Sequence, residues 1–132
     1  MPGLYRSYLQ ADLVLHYSPL IMGFVSSLLK TVNDRSIPLV HPYGELVQGE
    51  CHHMARYDAY PLLGLIVDPD DADEEDLRIT RILYERMALN LKTRLSLFSN
   101  TLRSMNELIS EIEEQATEMK LKSSHHQILQ TV

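Results

Sequence analysis

The chain has 132 residues, 45% of them hydrophobic and 23% charged, with a formal net charge of −6. That length accommodates one domain of ordinary size, and the apolar share is that of a folded chain rather than a disordered one. The acidic balance argues against general nucleic-acid binding, which needs a cationic surface.

The apolar residues are Leu, Ile, Val and Met more than aromatics, with no Trp and only two Phe. This mix favours helix packing over a sheet core. Cys51 is the only cysteine, so no intramolecular disulfide can form, and a reducing compartment, cytoplasm or nucleus, is expected. The longest apolar stretch, Leu13 to Leu29, is interrupted by His16, Ser18, Pro19, Ser26 and Ser27. It falls short of the roughly 20 residues that span a bilayer, so a membrane-associated adaptor held by this stretch ranks third among the readings.

Leu4 to Tyr17 reads as a short helix with Tyr5, Leu9 and Leu13 on one face. Ser18-Pro19 ends it and opens a second helix, about Pro19 to Val32. Ser18 suits the N-cap there and Pro19 the first turn. Leu20, Ile21, Phe24, Val25, Leu28, Leu29 and Val32 then recur at helical spacings. Asn33-Asp34 stops this helix.

Residues 35–76 are irregular, punctuated by Pro38, Pro42, Gly44, Gly49, Pro61, Gly64 and Pro69. Glu45 to Asp58 reads either as a helix or as part of a hairpin in which Leu39-Val40 and Leu46-Val47 flank Pro42-Tyr43-Gly44. Leu62 to Val67 is a short buried run whose period assigns neither strand nor helix. The acidic run from Asp70 to Asp76 reads as a helix start, because carboxylates are stabilised by the exposed N–H groups of a first turn. Asp73 is its expected N-cap.

From Leu77 onward there is no Pro or Gly. Apolar residues recur at alternating spacings of four and three: Tyr84, Ala88, Leu91, Leu95, Phe98, Leu102, Met105, Ile109 and Ile112. A sustained repeat of about 3.5 residues demands a partner helix. The predicted fold is therefore mainly α. Residues 1–76 form a small helical head with an irregular middle and an acidic linker. Residues 77–122 form one long coiled-coil-like helix that completes a helical bundle on oligomerisation, and residues 123–132 form a polar tail.

Basic residues gather in the first part of the long helix and acidic ones in the second, so an antiparallel mate of the same sequence would match opposite charges. The expected function is that of a non-enzymatic assembly or adaptor subunit. It would self-associate, or dock with a helical protein partner, through those nine residues, with no cofactor and no metal. On this reading Leu102→Asp or Phe98→Asp breaks assembly.

The alternative is a small metal-binding or cysteine-dependent enzyme centred on Cys51, with His41, His52 and His53. Thiolate and imidazole are zinc ligands, and a cysteine with a histidine base is a nucleophile. Adjacent residues are poorly spaced to ligate one ion, however, and surface histidines beside a small thiol explain the cluster more simply.

Overall fold

Leu13 to Ile21, expected to belong to two helices, is instead a β-strand at the middle of a sheet. The protein is α/β, which corrects the mainly helical, coiled-coil and helical-bundle expectations. A computed structural model describes the backbone of residues 2–47 and 49–129 and the side chains of residues 3–47 and 49–117. The elements run α1 (Pro2–Gln10), β1 (Leu13–Ile21), β2 (Phe24–Val25), α2 (Ser27–Arg35), β3 (Val40–Val47), β4 (Glu50–Ala55), β5 (Leu62–Asp68), α3 (Glu74–Asn90), β6 (Leu95–Asn100) and α4 (Met105–Leu129). A 3-10 turn at Ile37–Leu39 leads into β3. No described helix is long and apolar enough to cross a membrane.

The main sheet has the order β2-β1-β5-β6. β1 runs parallel to β5, with Leu13 opposite Leu62 and Val67 opposite Ser18. β5 runs parallel to β6, with a register shift between Leu63 and Gly64, and β2 is a short antiparallel edge on β1. Buried parallel strands read as continuous apolar runs rather than alternating ones. That is why Leu62 to Val67 carries no clear period, whereas in Leu13 to Ile21 the strand period is masked because Leu and Ile stand on both faces. The helical spacing seen from Leu20 to Val32 combines the end of β1, the tight turn at Met22-Gly23, β2 and α2. Ser26, not Ser18, caps α2, accepting from the backbone N–H of Leu29. Gly23 sits at φ 73°, and an added Cβ would lie 2.7 Å from Asp76 Oδ1. The turn thus needs glycine for its conformation and for the close approach of α3.

The acidic run does start a helix. Asp73 caps α3, its side chain accepting from the backbone N–H groups of Glu75 and Asp76, and the Asp76 carboxylate accepts from the Asp73 backbone N–H to close a capping box. α3 ends where the long predicted helix should have continued. Leu91 is its C-cap, Lys92 takes the left-handed conformation at φ 60°, and the Thr93 hydroxyl donates to the Pro61 carbonyl at 2.7 Å. β6 follows, and a second break at Thr101–Ser104 precedes α4. Ser104 and Glu107 form a capping box there: the Ser104 backbone N–H donates to Glu107 Oε2 at 2.8 Å, and the Glu107 N–H to Ser104 Oγ at 3.3 Å.

Two buried clusters fill the space between the sheet and the helices. Leu20, Val25, Leu29, Leu65, Val67 and Tyr84 form one. Tyr8, Leu39, Val40, Leu63, Ala88 and Leu91 form the other. Each buried Leu, Val or Tyr contributes on the order of 1.5–3 kcal/mol by leaving water.

His16 belongs to the same inner face, with its ring edge-on to Tyr84 at 6.2 Å between centroids. Its Nδ1 is buried with no hydrogen-bond partner among the described residues, and burial holds its pKa below the ordinary histidine value of 6.5. Above that pH the imidazole is neutral both folded and unfolded. As pH falls through 6.5 the unfolded chain takes up a proton that the folded chain refuses, so stability falls. Urea midpoints at pH 7.5 and 5.5 should therefore differ more for the natural chain than for His16→Phe. Equal differences would show that the His16 ring takes its proton freely in the fold.

Candidate functional site

The chain steps across the sheet in one direction, from β1 to β5 to β6. Parallel crossovers share one hand, so two that step the same way deliver their helices to the same face. α2 and α3 accordingly pack together against Leu20, Leu65 and Val67. Parallel sheets normally have both faces covered. Here, among the described residues, α4 is the helix tied to the opposite face, through Arg103.

The outer row of β1 comprises Leu13, Leu15, Tyr17, Pro19 and Ile21, since alternate residues of a strand share a face. Leu15 is 41% exposed, Tyr17 60% and Ile21 57%. On β5 the outer positions are Leu62, Gly64, Ile66 and Asp68. Gly64 forms a notch: an added Cβ would lie 2.4 Å from Leu15 Cδ2 and 3.3 Å from Leu97 Cβ. Leu15 and Leu97 thus close over the glycine from β1 and β6. Leu97 itself is buried.

α4 lies beside β6 on this outer side. Arg103, in the turn before the helix, donates to Ser99 Oγ at 3.4 Å and to Glu111 Oε2 of α4 at 2.8 Å. Leu108 is the buried member of the α4 stripe, while Met105 and Ile109 are exposed and Ile112 and Ala116 half-buried. At about 1.5 Å per residue, the 25 residues of α4 extend well past the six of β6. The outcome is an exposed apolar row on β1, at Leu15, Tyr17 and Ile21, flanked by half-buried Ile66 of β5, beside a helix whose apolar stripe is exposed at Met105 and Ile109.

The nine residues expected to form one seam are separated by this fold. Tyr84, Ala88 and Leu91 are buried beneath the sheet, and Leu95 and Phe98 pack from β6 against the same inner core. Leu102 projects from the second break, 78% exposed. Tyr84 and Ala88 share α3, and Met105, Ile109 and Ile112 share α4. The sequence reading missed Leu15, Tyr17, Ile21 and Ile66 as a surface because it assigned β1 to helices. Alternation of exposed and buried residues, the usual strand signal, is present in the fold from Tyr17 to Ile21 but is hidden in the sequence, where Leu and Ile occupy both faces.

The Cys51 cluster lies on the β3–β4 hairpin, whose strands pair antiparallel with Leu46 opposite Cys51 and Glu45 opposite His52. Neither expected alternative is right throughout: Pro42-Tyr43-Gly44 lies within β3 rather than at a turn, and no helix covers residues 45–58. Cys51 is exposed, whereas His52 is buried against α3. His52 Nδ1 meets Asn90 Oδ1 at 2.9 Å and its Nε2 meets Glu50 Oε2 at 3.1 Å. Glu50 also pairs with Arg86. The Arg86 guanidinium, and after it His52, hold the Glu50 carboxyl below its ordinary range. His53 Nδ1 meets the His41 carbonyl at 2.9 Å.

Both ring nitrogens of His52 are thus engaged, and Cys51 points away on the other side of the strand. Among the described residues no group of three or more His, Cys, Asp or Glu is placed to hold a metal ion. The arrangement fastens the hairpin to α3, helped by the ion pair between Lys92 and Glu45.

No protein-family model, no curated protein and no solved structure matches this chain.

Proposed function

We propose that the protein is a non-enzymatic assembly subunit that self-associates through the outer face of its sheet and α4. The observation that carries this reading is the exposed row of Leu15, Tyr17 and Ile21 on a parallel sheet, a kind of surface normally found under a helix. The same chain offers what would cover it. α4 carries an apolar stripe on which Leu108 is buried, Ile112 and Ala116 are half-buried, and Met105 and Ile109 are exposed. A two-fold axis would set the stripe of each copy over the β1–β5 surface of the other, giving the self-complementary contact of an isologous dimer.

Half-burial of about five large apolar side chains on each copy yields on the order of 10 kcal/mol before costs. Association costs about 4–15 kcal/mol, so pairing sets in at micromolar concentrations or above. The exposed thiol of Cys51 fits a reducing compartment, cytoplasm or nucleus. Sedimentation velocity over a concentration series should show a monomer passing into a dimer. A strict monomer at millimolar concentration would sink the proposal.

A further inference from the structure

The hairpin that joins β1 to β2 turns on two residues, Met22 and Gly23, between the paired Ile21 and Phe24. Both have positive φ, 53° at Met22 and 73° at Gly23, the mirror-image type I′ turn that favours Asn-Gly. Asp70 and Lys92 are the other non-glycine residues with positive φ among the described residues. Asp tolerates that region well, and Lys92 is held by its ion pair with Glu45. Met22 has neither reason. Its side chain offers no local hydrogen bond and is 99% exposed, so no contact within the chain offsets the strained backbone. Strain of this kind gathers at places that bind.

Met22 also continues the exposed row of β1 beyond Ile21. β1, β5 and β6 are parallel, so Met22 stands at the carboxyl end of the sheet. Met105 follows the turn that leaves β6 at that same end, and it is 69% exposed. In the order β2-β1-β5-β6, β1 and β6 flank β5 on opposite sides, and α4 lies beside β6. Setting α4 of each copy over β1 of the other therefore needs a two-fold axis that runs along the strands. An axis across the strands would lay α4 on α4 instead. The axis along the strands brings the carboxyl ends of the two sheets together.

We infer that Met22 of each copy packs against Met105 of the other, at the carboxyl end of a dimer whose two-fold axis runs along the strands. Unbranched thioether side chains adapt readily to such a contact. The inference rests on the self-association proposed above, and adds its orientation and an anchoring residue.

Met22→Asn tests the anchor. Asparagine suits this position of the turn, so the urea midpoint of the dilute, monomeric chain should rise. Sedimentation should meanwhile show a dimer weaker by about tenfold or more. A residue that served only the fold would not move the two readouts in opposite directions. Crosslinking tests the orientation, and keeps the test decisive if Met22→Asn fails to fold. A Cys51→Ser background removes the one natural thiol. At concentrations that pair the natural chain, a short bis-maleimide should then join two chains that each carry Met22→Cys and Met105→Cys. Chains with either substitution alone should stay single, because the axis sets like residues on opposite sides of the dimer. An unweakened Met22→Asn dimer, a lowered urea midpoint, no linked dimer from the double variant, or equal linking of the single variants overturns the inference. If Tyr17→Asp still abolishes pairing in that case, the outer face remains the contact and only the orientation falls. A natural chain that stays monomeric at millimolar concentration removes both.

Discussion

Ala88→Asp should abolish the fold, and Leu102→Asp should leave it intact. Ala88 has 0% of its surface exposed and sits among Tyr8, Leu39, Val40, Leu63 and Leu91. No cation in that cluster could pair with a carboxylate. The new group would be buried charged or buried protonated, and either state costs several kcal/mol. Added side-chain volume in a closed site costs roughly 1–3 kcal/mol more. Native stability is only about 5–15 kcal/mol, so circular dichroism should show Ala88→Asp largely unfolded at 25 °C. Leu102 is 78% exposed in the turn between β6 and α4, and an aspartate there should shift stability by no more than about 0.5 kcal/mol. In a single long helix both residues would lie on one seam and both variants would disrupt assembly alike. That equal outcome would overturn the sheet architecture. Phe98→Asp is a third case: Phe98 packs on the Tyr84 cluster, so it should weaken the fold itself.

Tyr17→Asp should separate assembly from folding. Tyr17 is 60% exposed at the centre of the outer row of β1, and aspartate costs a strand position at most about 1 kcal/mol. In a two-fold dimer the substitution occurs twice. Each copy loses the burial of an aromatic ring and gains a carboxylate pressed against an apolar helix. A loss of about 1.4 kcal/mol per copy already corresponds to roughly a hundredfold weaker dimer. On the proposed assembly, sedimentation should find Tyr17→Asp monomeric at concentrations that pair the natural chain, with urea midpoints nearly unchanged. Unaltered dimerisation would place the contact elsewhere than on the sheet.

The sequence reading succeeds where a signal is local. Asp73 and Asp76 announce the start of α3 through side chains that bond to their own backbone neighbourhood, and that chemistry is visible in four consecutive residues. It fails where structure depends on distant partners. Leu13 to Ile21 becomes a strand because Leu62 to Asp68 lies beside it, and neither segment carries that information alone. The long helix is an error of a third kind. Its apolar spacing spans two helix breaks by coincidence, with Leu95 and Phe98 on a strand between them. The warning signs were polar rather than Gly or Pro. Asn90 and Thr93 bracket the first break, Ser99-Asn100-Thr101 leads into the second, and Ser104 with Glu107 has the form of a capping box within the expected helix. The outer surface of the sheet could not be read at all until β1 and β5 were known to be neighbours. Of the predicted seam, Tyr84 and Ala88 share one helix and Met105, Ile109 and Ile112 another, with a strand between them.

The connectivity of the sheet also orders its assembly in time. β5, α3 and β6 are contiguous in the chain, so Leu63 meets Leu95, and Leu65 meets Phe98, across a single helix. β1 must reach β5 across α2 and the whole β3–β4 hairpin before Leu13 finds Leu62. Closing the longer loop carries the larger entropy cost, and contacts far apart in sequence form later. This connectivity predicts a nucleus in β5–α3–β6 that β1 joins afterwards, in which case Leu65→Ala should slow refolding more than Leu20→Ala does. Until β1 arrives, the strand that carries Leu15, Tyr17 and Ile21 has no face to offer, so the proposed pairing between copies would follow folding rather than guide it.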